Sequence, residues 1–348
     1  MLDPDIRNSL RARFERFAEI ECQGSSPLYF DLAIGVADDD LMLELVNHAL
    51  PGQPKPNLLF AAVHYLLLKE PDSAPDLARY YGSIMSSPLQ DRLSYPRFRK
   101  YVMEHKDEVR QIIQSRMVQT NEVRRAAYLY LAHLEVSHRL ESAPLAVCEI
   151  GTSAGLLLLF DRYNYDFGNG VSVSKGASLT IASELRGERR PRFEQTPSPI
   201  VARIGNDLKI IDVRDASDAL WLRALIWPEH SERVAMQLKA VEMAAEIAIE
   251  FKEGDGVAIL EDLLADLTPG LPVMLFHCHT ANQLSPEQWQ NFLAKIAEES
   301  KSRTIFHVLC EFLGRSPELH LSEYRSGSVV SETHLANCDA HGKWIEWL

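Results

Sequence analysis

The sequence predicts an α/β fold in which an all-helical domain over residues 1–140 precedes a parallel sheet over residues 141–348. Three observations carry this reading. Apolar residues recur at helical spacing through the first 140 residues. The texture changes at Ser142-Ala143-Pro144, where the run Leu145-Ala146-Val147-Cys148-Glu149-Ile150 has the length and character of a buried strand. That strand leads directly into a glycine turn and an apolar stretch of good helix formers.

In the first part, helices are expected over 7–17, 41–50, 57–68, 95–115 and 121–140. The proline-rich links Pro51-Gly52-Gln53-Pro54-Lys55-Pro56 and Glu70-Pro71-Asp72-Ser73-Ala74-Pro75 separate them. Beyond residue 145, strand and helix alternate: strands at 145–150, 200–204, 247–251, 271–277 and 303–310, helices at 232–245 and 257–267. A further helix runs from the cap Ser285-Pro286-Glu287-Gln288 to about 299. Such a rhythm implies a parallel sheet. The tail segments 318–322, 327–332 and 343–348 read as short antiparallel edge strands.

Composition narrows the function. With 36 Lys and Arg against 49 Asp and Glu, the net charge of −13 repels a phosphate backbone, so no nucleic-acid partner is expected. An apolar fraction of 46% and a charged fraction of 24% are those of an ordinary soluble chain. The five cysteines are odd in number, widely spaced and without a C-x-x-C pair, which fits thiols in a reducing, cytoplasmic compartment. The first residues carry early acids and no apolar stretch of signal-peptide type. The most apolar run, 58–68, is interrupted by His64 and is short of the roughly 20 residues a membrane span needs, so no membrane partner is expected.

The chemistry is expected at Gly151-Thr152-Ser153-Ala154-Gly155, between the strand and the stretch Leu156 to Tyr163. Strand, glycine turn and helix together let a ligand approach bare backbone while helix N–H groups face it. Ser153 stands where a dinucleotide fingerprint carries its second glycine, the one that admits a pyrophosphate, which argues against NAD. The pattern E-x-G-x-x-x-G, with Glu149 at the strand end, resembles instead the first motif of Rossmann-like methyltransferases. That resemblance implies S-adenosylmethionine at Glu149, Gly151, Ser153 and Gly155. It further implies an acid after the second strand on the ribose hydroxyls and another after the third strand near the adenine amino group. Asp207 and Asp255 match those positions, with Glu184 competing for the ribose; each also reads as an ordinary loop acid or cap. A packing turn between buried elements is the plain alternative for the glycines.

Nearly the whole chain resembles the bacterial family known as domain of unknown function 2332. The resemblance rests on Phe14 to Cys22 with Ser26-Pro27-Leu28-Tyr29, on Pro56 to Tyr65, and on Gln119-Thr120-Asn121-Glu122-Val123. It continues through Glu149 to Tyr163, Trp221 to Glu229 and His341-Gly342-Lys343-Trp344-Ile345-Glu346-Trp347. It implies a Rossmann-like fold and no particular substrate. One departure is Leu157, where Asn is expected.

Other residues admit two readings. His277 and His279 end the strand that in methyltransferases delivers groups beside the transferred methyl, and would project to one side if still extended. They are the candidate catalytic residues, or else a satisfied polar strand end. With Cys310, Glu311 or His307 on the neighbouring strand they could form a zinc site, but no second spaced ligand pair accompanies them, so no metal site is expected. Gln119, Asn121 and Glu122 either cap a helix or overhang the glycine turn as substrate contacts. Trp227 and Glu229 pose the same choice between core packing and a substrate lining. No nucleophile elbow and no phosphate loop of the Walker type occur, which removes two large enzyme classes. The expected activity is S-adenosylmethionine-dependent methylation of a small molecule. A noncatalytic ligand-binding or scaffold protein of the same fold, or a metal-assisted enzyme using the same cleft, are the alternatives.

Overall fold

The computed structural model describes residues 2–348. The chain forms two compact units, and neither is one continuous stretch. The first runs to Thr120 and takes in Arg214–Ala235; the second comprises Asn121–Val213 and Met236–Leu348. The expected division at 140/141 is therefore displaced. Helix Ala126–Arg139 belongs with the sheet, and Ala216–Ala224 with the first unit's helices.

The first unit contains Pro4–Arg16, extended by a π-helical turn Phe17–Cys22, then Pro27–Ala37, Asp40–Val46, Lys55–Lys69, Ser94–Glu104 and Lys106–Ser115. The single helix expected over 95–115 is two, interrupted at His105. Pro27–Ala37 was not anticipated, although Ser26-Pro27 is an N-cap followed by proline at the first helical position, and the Ser26 hydroxyl accepts the Tyr29 amide. Phe60 centres this unit's core, its ring 4.8 Å from Tyr29, 5.7 Å from Phe98 and 6.0 Å from Phe14.

The second unit is built on a nine-stranded, mostly parallel sheet. Its strands are β1 (Leu145–Ile150), β5 (Glu184–Arg186), β6 (Ile200–Asp207), β7 (Glu250–Glu253), β8 (Val273–Cys278), β9 (Ile305–Phe312), β10 (Pro317–Arg325), β11 (Ser328–Cys338) and β12 (Trp344–Trp347). The short strands β2 (Asn164–Asp166), β3 (Ser172–Val173) and β4 (Thr180–Ala182) form a separate three-stranded sheet in the order β3-β2-β4. The large sheet runs β5-β12-β11-β10-β9-β8-β1-β6-β7. Strands β7, β6, β1, β8 and β9 are parallel neighbours, and β10, β11 and β12 continue as an antiparallel meander.

From β1 the chain builds outward through β6 and β7, then returns to the other flank of β1 with β8 and β9. Connections leaving β1 and β8 thus diverge in opposite directions, the switch point at which open α/β sheets form a crevice beyond their carboxyl ends. Helix Ala126–Arg139 is buried on all sides over residues 126–134, as a helix apolar all round must be. Tyr130 stacks on Tyr165 at 4.8 Å, and Arg139 donates to Ser331 and Thr333 on β11. Helix Pro286–Glu299 packs Phe292 and Ile296 against Leu275 and Ile305, and carries the anticipated capping box at Ser285 and Gln288. Among the described residues, no helix is long and apolar enough to cross a membrane.

Candidate functional site

The glycine turn occupies the carboxyl end of β1. Gly151, Ser153 and Gly155 all have positive φ, at +79°, +53° and +73°, a conformation that L side chains disfavour. Gly151 is required twice over, because a Cβ there would lie 2.4 Å from Thr280 Oγ1. The turn is pinned to β6: the amides of Gly151 and Thr152 both donate to the Asn206 carbonyl, at 2.8 and 2.9 Å. The Ser153 amide donates to Asp207 Oδ2 at 2.8 Å.

The helix expected over Leu156 to Tyr163 is replaced by one 3-10 turn, Leu156–Leu159. Leu156, Leu157, Leu158, Leu159 and Phe160 are all buried, and side chains capture carbonyls that a helix would use. Tyr163 Oη donates to Leu156 O at 2.7 Å, Arg203 to Leu158 O and Tyr165 to Phe160 O. Among the described residues no α-helix begins at this turn, so it offers a ligand no helix N-terminus. The buried position of Leu157 also accounts for an apolar residue there.

Three neighbouring parallel strands end in acids. Glu149 on β1 is 2% exposed and accepts from Thr152 Oγ1 at 2.6 Å. Burial holds its carboxyl far above the usual carboxylate range; the Thr152 bond opposes that shift and the Asp207 charge adds to it. Asp207 closes β6. Asp255 follows β7, and its Oδ1 accepts the Val257 and Ala258 amides at 2.9 and 3.2 Å, so one oxygen caps the turn before Leu260–Leu264. Glu184 lies on β5, at the opposite edge of the sheet, bonded to Arg186. It does not compete with Asp207 for a place at the turn.

At the switch point, several polar side chains of the second unit meet. Asn121 Nδ2 donates to the Thr152 carbonyl at 3.2 Å, which places Asn121 on the glycine turn. Glu122 Oε2 is 3.2 Å from His341 Nδ1, and Arg125 Nε donates to Ala340 O at 3.0 Å. A Cβ at Gly342 would stand 2.7 Å from the Arg124 carbonyl, so the 340–342 loop seats directly on this segment. Three segments that looked alike in sequence only as family marks, 121–123, 149–163 and 341–347, thus converge. Gln119 falls in the first unit.

The two histidines part company. His277 is buried with Nδ1 2.6 Å from Glu311 Oε1 and Nε2 3.0 Å from His307 Nε2, its ring against Trp289 and Phe292. His279 lies past the end of β8 with φ +58°, so the alternation that would set the two rings on one side stops at Cys278. His279 Nε2 is buried with no hydrogen-bond partner among the described residues. Burial, helped by the Arg125 charge, pushes its ring down to about 4. Glu311 and His307 lie on the neighbouring strand as expected, and Glu311 Oε1 also accepts the Thr280 and Ala281 amides, at 2.9 and 3.1 Å, and so holds the loop that carries His279.

Trp227 and Glu229 lie in the first unit. Trp227 stacks on His230 and abuts Phe17 and Tyr29, and Glu229 accepts from the Ser26 hydroxyl at 2.8 Å and the Leu28 amide at 3.2 Å. Glu229 thus ties down the start of helix Pro27–Ala37, and Trp227, half-buried, packs on that unit's aromatic rings.

No curated protein and no solved structure matches the chain. A family model described as an uncharacterized protein conserved in bacteria, domain of unknown function 2332, matches residues 11–347, and the chain belongs to that family.

Proposed function

We propose that the second unit binds S-adenosylmethionine beyond the carboxyl ends of β1, β6 and β7 and directs its methyl group to a small molecule. The observation that carries this reading is the row of acids Glu149, Asp207 and Asp255 at or just past the carboxyl ends of three adjacent parallel strands, set around a turn with positive φ at Gly151, Ser153 and Gly155. The strand order β7-β6-β1-β8-β9 supports it, since Rossmann-like sheets place their ligand at this switch point. The meander β10-β11-β12 and the single 3-10 turn after Gly155 depart from the usual methyltransferase pattern, and they shape the far edge and the turn's outlet.

The cofactor supplies an electrophilic methyl group; the chain supplies position, which by itself is worth several powers of ten in rate. Asp207 serves the ribose and Asp255 the adenine edge. Asn121, Arg125 and His279 line the acceptor side. A histidine held near 4 is neutral at pH 7 and a weak base, so His279 suits hydrogen bonding to the acceptor better than proton abstraction.

Calorimetric titration with S-adenosylmethionine and its demethylated product tests the reading. Asp207→Asn and Asp255→Asn are expected to weaken binding between about two-fold and about 150-fold, the range for one lost hydrogen bond, neutral or charged. Wild-type protein that binds neither compound at millimolar concentration rejects it.

A further inference from the structure

We infer that Glu318, His320 and His334 form a binding site for a divalent transition-metal ion such as zinc, on the antiparallel part of the sheet and independent of the glycine turn. Glu318 and His320 are two residues apart on β10 and so share a face. His334 on β11 is the direct cross-strand partner of His320. One donor atom from each of the three lies within 4.8 Å of the others. Glu318 Oε2 is 2.9 Å from His320 Nε2 and 3.9 Å from His334 Nε2, and the imidazoles stack with centroids 4.4 Å apart.

The donor set matches the chemistry of zinc rather than that of calcium or magnesium. Two imidazoles with one carboxylate is a known zinc ligand set, in which bonds of about 2.0–2.2 Å leave a fourth position for water. Donor atoms around such an ion stand about 3.3 Å apart, between the two separations seen here, so small ring rotations bring them to bonding range. The metal would replace the Glu318–His320 contact and the 3.1 Å contact of His334 Nε2 with the Ala336 carbonyl. Side-chain exposures of 24%, 29% and 33% for Glu318, His320 and His334 leave access for the ion and its water.

The scaffold favours a preformed site. The three side chains stand on two paired strands, and the register slips between Leu319 and His320, a bulge of the kind that re-aims side chains. Glu318 also pairs across the sheet with Glu311 on β9, which adds negative charge next to the ligands. The sequence concealed the site because its three residues are spread over two strands and converge only through that register.

The test is titration of the full chain, stripped with chelator, with Zn²⁺, and with Co²⁺ for its visible spectrum; Mg²⁺ is the control. One equivalent of Zn²⁺ is expected per chain, with a visible Co²⁺ band and a rise in melting temperature on metal addition. Each of Glu318→Gln, His320→Gln and His334→Gln should weaken binding at least ten-fold and abolish the metal-dependent rise, while circular dichroism shows a folded chain. His277→Gln should bind as wild type does. Absence of zinc binding by wild type at millimolar concentration, or binding that all three ligand variants retain, overturns the inference. Loss of binding in His277→Gln but not in the ligand variants would move the site to the His277, His307 and Glu311 cluster and overturn it equally.

Discussion

The carboxylate of Asp207 accepts the amide of Ser153 at 2.8 Å, so the acid that ends β6 also fastens the glycine turn that follows β1. Ser153 needs that fastening, because it holds φ +53° with a side chain present. Asp207→Ala is expected to cost about 1.5 kcal/mol, the low end for a hydrogen bond to a charged group, because Asp207 is only partly buried. Ser153→Gly keeps the amide and relieves the left-handed strain, so it should be neutral or stabilising by up to about 1 kcal/mol. Urea unfolding of both variants decides; a Ser153→Gly protein clearly less stable than wild type contradicts this account of the turn.

Gly151 should tolerate nothing larger than hydrogen. Alanine there meets both the cost of a left-handed residue, about 1–2 kcal/mol, and the Thr280 hydroxyl at 2.4 Å. Gly151→Ala should therefore lose more than 2 kcal/mol, and Gly151→Val more again, before any ligand is considered. The double variant Gly151→Ala/Thr280→Ala should recover part of the loss. A double-mutant cycle with no coupling between the two sites would show that Thr280 is not the obstacle.

How legible this architecture is depends on how local each signal was. Leu145 to Ile150 reads as a strand because six buried residues in a row leave no other short element, and β1 has those bounds. Ser285 and Gln288 announce a helix through chemistry confined to four residues. Where the outcome rests on distant partners, the sequence misleads. Leu156 to Phe160 looks like a helix, yet Tyr163, Tyr165 and Arg203 take up its carbonyls. His277 and His279 look like a pair, yet the strand ends between them and Glu311, 34 residues further on, takes His277. Glu184 competed with Asp207 in the sequence because strand order is invisible there; the sheet puts β6 beside β1 and β5 at the far edge.

Two fully buried histidines predict a loss of stability in mild acid. His64 has Nδ1 3.0 Å from the Ala224 carbonyl and Nε2 2.7 Å from the Ser83 hydroxyl, which satisfies a neutral ring. Burial lowers both His64 and His133 to about 4. Between about pH 6.5 and pH 4 the unfolded chain takes up a proton at each that the folded chain refuses, so stability falls as pH falls through that window. Each contributes a slope of about 1.4 kcal/mol per pH unit at most. Glu149, whose folded carboxyl keeps a proton that the unfolded one gives up, acts in the opposite sense. The comparison that isolates one histidine is wild type against His64→Gln, whose slope in chemical unfolding between pH 6 and pH 4.5 should be shallower by up to that amount. Equal slopes would mean that His64 titrates normally in the folded chain.

The division into units predicts which fragments survive. Cutting at residue 140 removes Ala126–Arg139 from the sheet, and with it Tyr128, Leu129, Leu131, Ala132 and His133, all fully buried. Four of these are apolar side chains, and removal of a single large one from a core already costs about 2–5 kcal/mol. Arg139 and its bonds to Ser331 and Thr333 are lost as well. A fragment of residues 141–348 is therefore expected to be insoluble or to lack a cooperative melt. Residues 121–348 retain the whole second unit and should give a cooperative transition, whereas residues 1–120 lack Ala216–Ala224, whose Trp221 is buried and donates to the Met117 carbonyl at 3.0 Å. Expression of all three fragments with calorimetry of the soluble ones is the measurement. A stable, cooperatively melting 141–348 fragment would show that the helix before Ser142 is dispensable to the sheet and would restore the boundary near residue 140.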